Sequence, residues 1–202
     1  MASTPNLEPI RLSPDSYASS VGIDEVGRGP LVGEVVAAAV ILPANHGLPL
    51  ADSKKLSASK RESLAAQIQA IALDYAIVGA TPAQIDQLNI LQATLWAMRQ
   101  AVAQLSKPIS HVYVDGNRCP AIDHACTPVI KGDARLDIIS AAAIIAKVYR
   151  DQQMDLLDQR HPEYGFAQHK GYPTATHFAA LAKYGPLPEH RRSFNLRLAQ
   201  TN

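Results

Sequence analysis

Two adjacent carboxylates stand immediately before a glycine-flanked arginine in this chain. Asp24 and Glu25 precede Gly27, Arg28 and Gly29 in the run Gly-Ile-Asp-Glu-Val-Gly-Arg-Gly-Pro. Carboxylate oxygens are the hard ligands that Mg²⁺ prefers. Glycines leave backbone N–H groups open to a ligand because they carry no Cβ. The run therefore predicts metal binding and phosphate contact at one place.

The local geometry of this run limits where it can lie. Consecutive side chains of a β-strand leave on opposite faces, so Asp24 and Glu25 can share an ion only where the strand ends or bends. Gly27 and Gly29 follow at once and allow backbone dihedral angles that other residues avoid. We therefore expect a strand that ends in a tight glycine turn beside the two acids.

Two further acids could join this pair. Asp115 follows a short strand pattern at 111–114, and Gly116 begins a loop after it; strand ends are where sites gather in α/β sheets. Asp133 precedes a long helical pattern. Each also has a purely structural interpretation, because Asp before Gly is a common turn former and Asp is a common helix N-cap.

Four carboxylates would suit the hydrolysis of a phosphodiester. Two divalent ions about 3.5–4 Å apart can stabilise both the attacking and the leaving oxygen of such a reaction. Four carboxylates in one cleft would repel each other and have raised pKa values without the ions. The residues that would meet this need, if the sheet gathers them, are Asp24, Glu25, Asp115 and Asp133.

Composition indicates a globular protein with a packed core. The chain has 202 residues, of which 47% are hydrophobic, and a formal net charge of +1. We expect one domain over residues 1–202, with a helical appendage from about residue 161. The longest apolar run, 35–42, is far shorter than the roughly 20 residues that span a bilayer. No secretion signal is recognisable, so we expect a cytoplasmic protein without membrane association.

Two cysteines, Cys119 and Cys126, admit three interpretations. They could form a disulfide, or bind zinc together with His111 and His124. The chain has no CxxC pair, and two thiols without a signal peptide are normally reduced. We therefore expect free thiols.

Basic residues are concentrated in two segments. From Gly165 onward Glu189 is the only acid, against five lysines and arginines and three histidines. A second cluster contains Lys54, Lys55, Lys60 and Arg61. Such segments either lie on a solvated face or form a positively charged surface with which an enzyme binds a phosphodiester substrate.

Hydrophobic patterns predict a mixed α/β sheet. Segments 20–27 and 32–42 form an antiparallel hairpin, whose second strand lacks alternation and should be buried on both faces. A capping box at 59–62 begins a helix, 74–80 is a strand, and a second capping box at 81–84 begins a helix that runs to about Leu105. A strand at 128–131, a small-residue helix at about 134–160 and a helix capped by Thr174 follow, and helices should cover both sheet faces.

These motifs resemble the type 2 ribonucleases H, the ribonuclease HII family, in order along nearly the whole chain. Only the first dozen residues and the last few lie outside the resemblance. The matching blocks are Asp24 to Gly29, Asp52 to Leu56, Val114 to Asn117, Lys131 to Asp133, Ser140 to Asp151, Tyr164 to Phe166 and His169 to Tyr172.

The resemblance implies a ribonuclease H-like fold and an endoribonuclease. Such an enzyme cleaves RNA in RNA–DNA hybrids and cuts 5′ of a ribonucleotide embedded in duplex DNA, leaving 5′-phosphate and 3′-hydroxyl ends. It would act as a monomer with two divalent ions, Mg²⁺ or Mn²⁺. The resemblance assigns metal binding and catalysis to Asp24, Glu25, Asp115 and Asp133. It assigns ribonucleotide sensing to Gly27, Arg28 and Gly29, phosphate contact to Lys54, and stacking on the next deoxyribose to Tyr172.

Three other functions compete with this interpretation. A dinucleotide-dependent oxidoreductase would explain the glycines, but the last glycine is wrongly spaced and a strand follows where a helix is needed. A non-catalytic nucleic-acid-binding module would need the basic tail but not four acids. Another nuclease of the same fold stays possible on fold alone, although the Gly-Arg-Gly turn and Tyr172 favour ribonucleotide recognition.

Overall fold

The computed structural model describes residues 8–50 and 56–198, which form a mixed five-stranded sheet covered by helices. The strand order is β3-β2-β1-β4-β5. β1 and β2 are antiparallel, as are β2 and β3, whereas β4 runs parallel to both β1 and β5. The predicted hairpin and mixed sheet are therefore confirmed. The strands are β1 (Ser20–Val26), β2 (Val35–Ile41), β3 (Asp74–Ala80), β4 (His111–Asp115) and β5 (Cys126–Val129).

Helices cover both faces of this sheet. Two short 3-10 turns, Gly132–Ala134 and Pro162–Tyr164, flank the longest helix. This helix, α5, packs on β1 and β2 together with α2, and α4 packs on the opposite face of β2 and β3. The helices are α1 (Pro14–Tyr17), α2 (Ala58–Ile71), α3 (Pro82–Leu88), α4 (Ile90–Ala103), α5 (Asp137–Arg160), α6 (Phe166–His169) and α7 (Ala175–Tyr184).

Strand β2 is buried on both faces, as its sequence predicts. All seven residues of β2 have no exposed surface, with alternate side chains in the two core layers. Gly22 allows α5 to approach β1 closely, because a Cβ at this position would lie 2.2 Å from the carbonyl carbon of Ile138. This contact fixes the first turn of α5 next to the strand that carries Asp24.

Three predicted helix boundaries are wrong. The helix predicted from 82 to about 105 is interrupted at Asn89, whose φ of 68° is left-handed and whose side chain accepts hydrogen bonds from Leu91 N–H and Gln92 N–H as the cap of α4. The side chain that caps α2 belongs to Ser57 and not to the predicted Ser59. The helix predicted from 134 begins at Asp137, because a 3-10 turn precedes it.

The expectation of reduced thiols is wrong in this structure. Cys119 and Cys126 form a disulfide, with their Cα atoms 6.2 Å apart. The loop between β4 and β5 brings them together, and this separation lies within the range that a disulfide requires. Among residues 8–50 and 56–198, no helix is long and apolar enough to cross a bilayer.

Candidate active site

Parallel pairing of β1 with β4 places Asp24 and Asp115 side by side. Ile23 of β1 pairs with Val114 of β4, so the next residues, Asp24 and Asp115, are neighbours, Asp24 two residues before the end of β1 and Asp115 at the end of β4. Asp24 is 7% exposed, and its Oδ1 accepts a hydrogen bond of 2.7 Å from Glu25 N–H. The sheet thus brings three of the predicted acids to one edge.

A short turn brings the fourth acid to the same edge. Asp133 lies in the 3-10 turn Gly132–Ala134 between β5 and α5. The N–H of Gly132 donates a hydrogen bond of 2.6 Å to Asp115 Oδ1, which ties this turn to the end of β4. Asp133 is not the N-cap of α5, because Leu136 occupies that position. Both structural alternatives are therefore resolved: Asp115 does precede a glycine turn, with Gly116 at φ 99°, and Asp133 does not cap α5.

The four acids are coupled electrostatically. Burial raises the pKa of Asp24 well above its ordinary value, and the negative charges of Asp115, Glu25 and Asp133 raise it further. Burial also raises the pKa of Glu25, although the neighbouring Arg28 guanidinium opposes this shift. The pKa of Asp115 is raised mainly by burial, while the hydrogen bond from Gly132 N–H opposes it. Positive charge placed among these acids would therefore be stabilised.

The donor chemistry suits a hard divalent cation, but the side chains do not converge on one point. Across the described ranges, no three acidic, histidine or cysteine side chains are arranged to hold one ion. Glu25 Oε1 instead accepts from Arg28, 3.2 Å away, and Asp115 from Gly132. An ion at this edge would meet carboxylate oxygens, which are ligands that Mg²⁺ and Mn²⁺ prefer.

The glycine turn after β1 is shaped by close packing. Gly27 has a φ of +88°, and a Cβ there would lie 2.2 Å from Arg150 Nε. Gly29 lies against Tyr172, since a Cβ at 29 would lie 3.3 Å from Tyr172 Cε1. A backbone hydrogen bond from Leu31 N–H to Gly171 O, 2.8 Å, joins the two loops. The structure therefore brings together the turn and the tyrosine that were singled out separately in the sequence.

Buried histidines support the loop of Tyr172. Leu187 N–H donates to His190 Nδ1, so the proton of a neutral His190 is on Nε2 and points at His177 Nε2, 3.1 Å away. His177 in turn donates from Nδ1 to the Tyr172 carbonyl, 3.0 Å away. Burial lowers the pKa of both rings, and that of His190 falls to about 4. Tyr172 itself remains 43% exposed.

The basic tail is less available to a polyanion than its composition suggests. His169, His177, His190 and Arg191 are all buried, and Lys170 forms an ion pair with Asp155. These five residues therefore add little to the basic surface that the sequence predicts for binding a polyanion. Exposed cations flank the acids instead, at Arg28, Arg118 and Lys131.

Two functional candidates were missed in the sequence. Arg150 and Arg191 are 1% and 0% exposed, and both donate hydrogen bonds to carbonyls of the segment from Gly27 to Glu34. The only available signal was indirect: an irregular glycine- and proline-rich turn needs hydrogen-bond donors from elsewhere in the chain. Lys54, predicted to contact phosphate, lies outside the described residues.

A cavity of about 260 Å³ lies beside the acids. Its lining includes Glu25 and Asp115 at the strand ends, and two arginines, Arg28 and Arg118. The cavity therefore presents both carboxylates and cations on one surface beside the strand ends.

Comparisons with known proteins agree with this geometry. The family described as Ribonuclease HII matches residues 21–197. Ribonuclease HII of Hydrogenovibrio crunogenus is 59% identical over 174 residues, which cover 86% of this chain and 84% of the relative. Ribonuclease HII of Shewanella piezotolerans is 54% identical, with 96% of both chains covered. The crystal structure of ribonuclease H2 from Pyrococcus horikoshii OT3 is similar with a TM-score of 0.76 and 27% identity, over 88% of this chain and 94% of that chain.

Proposed function

The chain belongs to the ribonuclease HII family, and we propose that it hydrolyses the RNA strand of RNA–DNA hybrids and cuts duplex DNA on the 5′ side of an embedded ribonucleotide. Membership makes it a ribonuclease H, an endonuclease of the hydrolase class. The observation that carries the more specific proposal is the position of Asp24 beside Asp115 on neighbouring parallel strands, next to a glycine turn that contacts Tyr172.

The acids supply the chemistry of this proposal. Asp24, Glu25, Asp115 and Asp133 would hold two divalent ions, Mg²⁺ or Mn²⁺, whose charge stabilises the attacking water and the leaving 3′-oxygen. The raised pKa values of three of these acids support it, because buried carboxylates that repel each other are compensated by cations. The products would carry 5′-phosphate and 3′-hydroxyl ends.

The glycine turn supplies the selectivity. A 2′-hydroxyl both donates and accepts hydrogen bonds, and it distinguishes RNA from DNA at a given position. Gly27, Arg28 and Gly29 offer backbone groups at close range, and the Arg28 side chain, 47% exposed, can reach a phosphate. Tyr172 would stack on the following deoxyribose. All these groups come from one chain, so we expect a monomer to be competent.

A cleavage assay tests this function. The purified chain should cut an RNA–DNA hybrid with Mg²⁺ or Mn²⁺ and lose that activity with EDTA. Asp115→Asn should lower the rate by at least about 10²-fold, as expected when one electrostatic stabiliser of a transition state is lost. The matched control is Asp123→Asn, an acid on the β4–β5 loop outside the site. Undiminished cleavage by Asp115→Asn, or full activity in EDTA, would overturn the proposal.

A further inference from the structure

Arg191 is a completely buried guanidinium that binds the inner side of the glycine turn. Its exposed fraction is 0%, and it follows α7, more than 160 residues after the turn in sequence. It donates to four backbone carbonyls: to Gly27 O at 2.6 Å, Arg28 O at 3.1 Å, Pro30 O at 2.7 Å and Gly33 O at 2.9 Å.

The direction of these hydrogen bonds fixes the direction of the neighbouring amides. In a planar trans peptide the C=O and the N–H point in opposite directions. Since the carbonyls of Gly27 and Arg28 point at Arg191, the N–H groups of Arg28 and Gly29 point away from it. Residues 28 and 29 are also the exposed residues of the turn. Arg191 therefore presents two amide donors on the outer side of the turn.

The charge of Arg191 also strengthens these donors. Hydrogen bonds that involve an ionised group are roughly twice as strong as neutral ones, and hydrogen bonds in a chain polarise one another. A peptide whose carbonyl binds a guanidinium becomes a better donor at its N–H. The outer amides are thus suited to an oxygen acceptor, such as the 2′-hydroxyl or a phosphate oxygen of a nucleic acid.

Lysine could not reproduce this arrangement. A guanidinium presents its N–H groups in a rigid planar fork, whereas an ammonium offers three donors from a single atom. Arg150 is a second buried guanidinium near the turn, but it binds different carbonyls. It donates to Val32 O, Glu34 O and Lys170 O. Arg191 alone of the two binds the carbonyls of residues 27, 28 and 30.

We propose that Arg191 is the positioning residue for ribonucleotide recognition, which aligns and polarises the Arg28 and Gly29 amides for the substrate. The inference rests on the proposed function. It adds a residue that never touches the substrate and yet sets discrimination between ribonucleotide and deoxyribonucleotide. A merely structural arginine would affect stability, but would leave that discrimination unchanged.

The first test uses the wild-type chain and NMR. The protein, in EDTA to prevent cleavage, is titrated with duplex DNA that holds one ribonucleotide and, separately, with the all-deoxy duplex. The Arg28 and Gly29 amide signals should shift downfield with the first duplex and clearly less with the second. Equal responses of these two amides to both duplexes, at saturation of both, would overturn the inference.

The second test changes Arg191 while keeping its charge. Arg191→Lys should lower the ratio of affinities for the ribonucleotide and all-deoxy duplexes by about tenfold or more, measured in EDTA well below the melting temperature of each variant. Two controls should keep the wild-type ratio: Leu181→Ala, which weakens the buried apolar cluster that includes Leu31 and Val32 of the turn segment, and Arg192→Lys, which changes the adjacent exposed arginine. If Arg191→Lys does not fold, the wild-type titration decides.

The outcomes separate the two proposals. A wild-type chain that binds and cuts both duplexes alike would refute the proposed function and this inference with it. A discriminating wild-type chain whose ratio is unchanged in Arg191→Lys would refute the inference alone. A loss of the ratio in Leu181→Ala equal to that in Arg191→Lys would assign Arg191 a purely structural role.

Discussion

Gly29 and Tyr172 lie in contact although they are far apart in sequence: a Cβ at residue 29 would lie 3.3 Å from Tyr172 Cε1. The hydrogen bond from Leu31 N–H to Gly171 O holds the two loops together. A sugar that reached the turn would therefore also meet the tyrosine ring. This contact makes the glycine turn and the tyrosine one recognition surface under the proposed function.

Tyr172→Ala should impair cutting at a lone embedded ribonucleotide more than cutting within a continuous RNA–DNA hybrid. A single ribonucleotide offers one binding register, whereas a hybrid offers many. Aromatic stacking on bases is worth about 1–3 kcal/mol, and stacking on a sugar should be at the low end. We expect a loss in kcat/KM of about fivefold on the single site, equivalent to about 1 kcal/mol. Tyr172→Phe serves as the control that keeps the ring. Equal losses of Tyr172→Ala on both substrates would refute stacking of Tyr172 on the deoxyribose that follows the ribonucleotide.

Substitution of Gly27 should mainly lower stability, whereas substitution of Gly29 should mainly lower activity. Gly27→Ala should lower stability by about 2 kcal/mol or more, because φ is +88° and the new Cβ would clash with Arg150. Gly29→Val should lower kcat/KM on both substrates with a smaller loss of stability, since its φ is not left-handed and its side chain would meet the Tyr172 ring. Urea unfolding and steady-state kinetics on both variants measure the two effects. A Gly29→Val enzyme with wild-type kcat/KM would show that nothing approaches the turn closely.

Metal-free protein should lose stability as pH rises. A carboxyl whose folded pKa lies above its unfolded value adds stability below the unfolded pKa, and that contribution is lost as pH rises through the folded pKa. Asp24, Glu25 and Asp115 all have raised pKa values, so this loss should begin just above pH 4. Asp24→Asn should raise the neutral-pH melting temperature in EDTA by a few degrees and reduce the further rise caused by Mg²⁺. Thermal melts at several pH values, with and without Mg²⁺, measure both. A lower melting temperature for Asp24→Asn in EDTA would contradict the electrostatic account.

The buried histidines should give an opposite pH dependence. A histidine whose folded pKa is lowered adds stability above its unfolded pKa, about 6.5, and that contribution is lost as pH falls through the folded pKa, about 4 for His190. His190→Asn keeps an acceptor near Leu187 N–H but does not titrate. The difference in unfolding free energy between wild type and His190→Asn should therefore shrink from pH 7 to pH 4. His124→Asn, at an exposed histidine of the β4–β5 loop, is the control. A difference independent of pH would show that His190 is not buried as a neutral ring.

The sequence was most informative where local chemistry decides the structure. Thr81 and Gln84 form the predicted capping box, and the continuous apolar run of β2 is buried on both faces as expected. Asn89 was missed because a polar residue inside a helical pattern gives no sign that it will adopt left-handed dihedral angles. The acids could be proposed through their types and their resemblance to a family, but their proximity depends on the β1–β4 register, which is a long-range property.

Contacts between distant segments account for the remaining errors. Arg191 was counted as part of a basic tail, yet packing against the glycine turn removes it from solvent. Charge counts in a sequence cannot reveal which cations will be buried against backbone carbonyls. The disulfide was missed for a related reason, because compositional rules about thiols carry no information on the distance between Cys119 and Cys126.

End-group mapping on a duplex with one ribonucleotide tests the central claim most directly. The wild-type chain, given Mg²⁺ or Mn²⁺, should make a single cut at the 5′ side of that ribonucleotide and leave a 3′-hydroxyl and a 5′-phosphate. The all-deoxy duplex should remain intact, and Asp24→Asn should slow the cut by at least about 10²-fold. A cut on the 3′ side of the ribonucleotide, cleavage of the all-deoxy duplex, or full activity in Asp24→Asn would contradict the account.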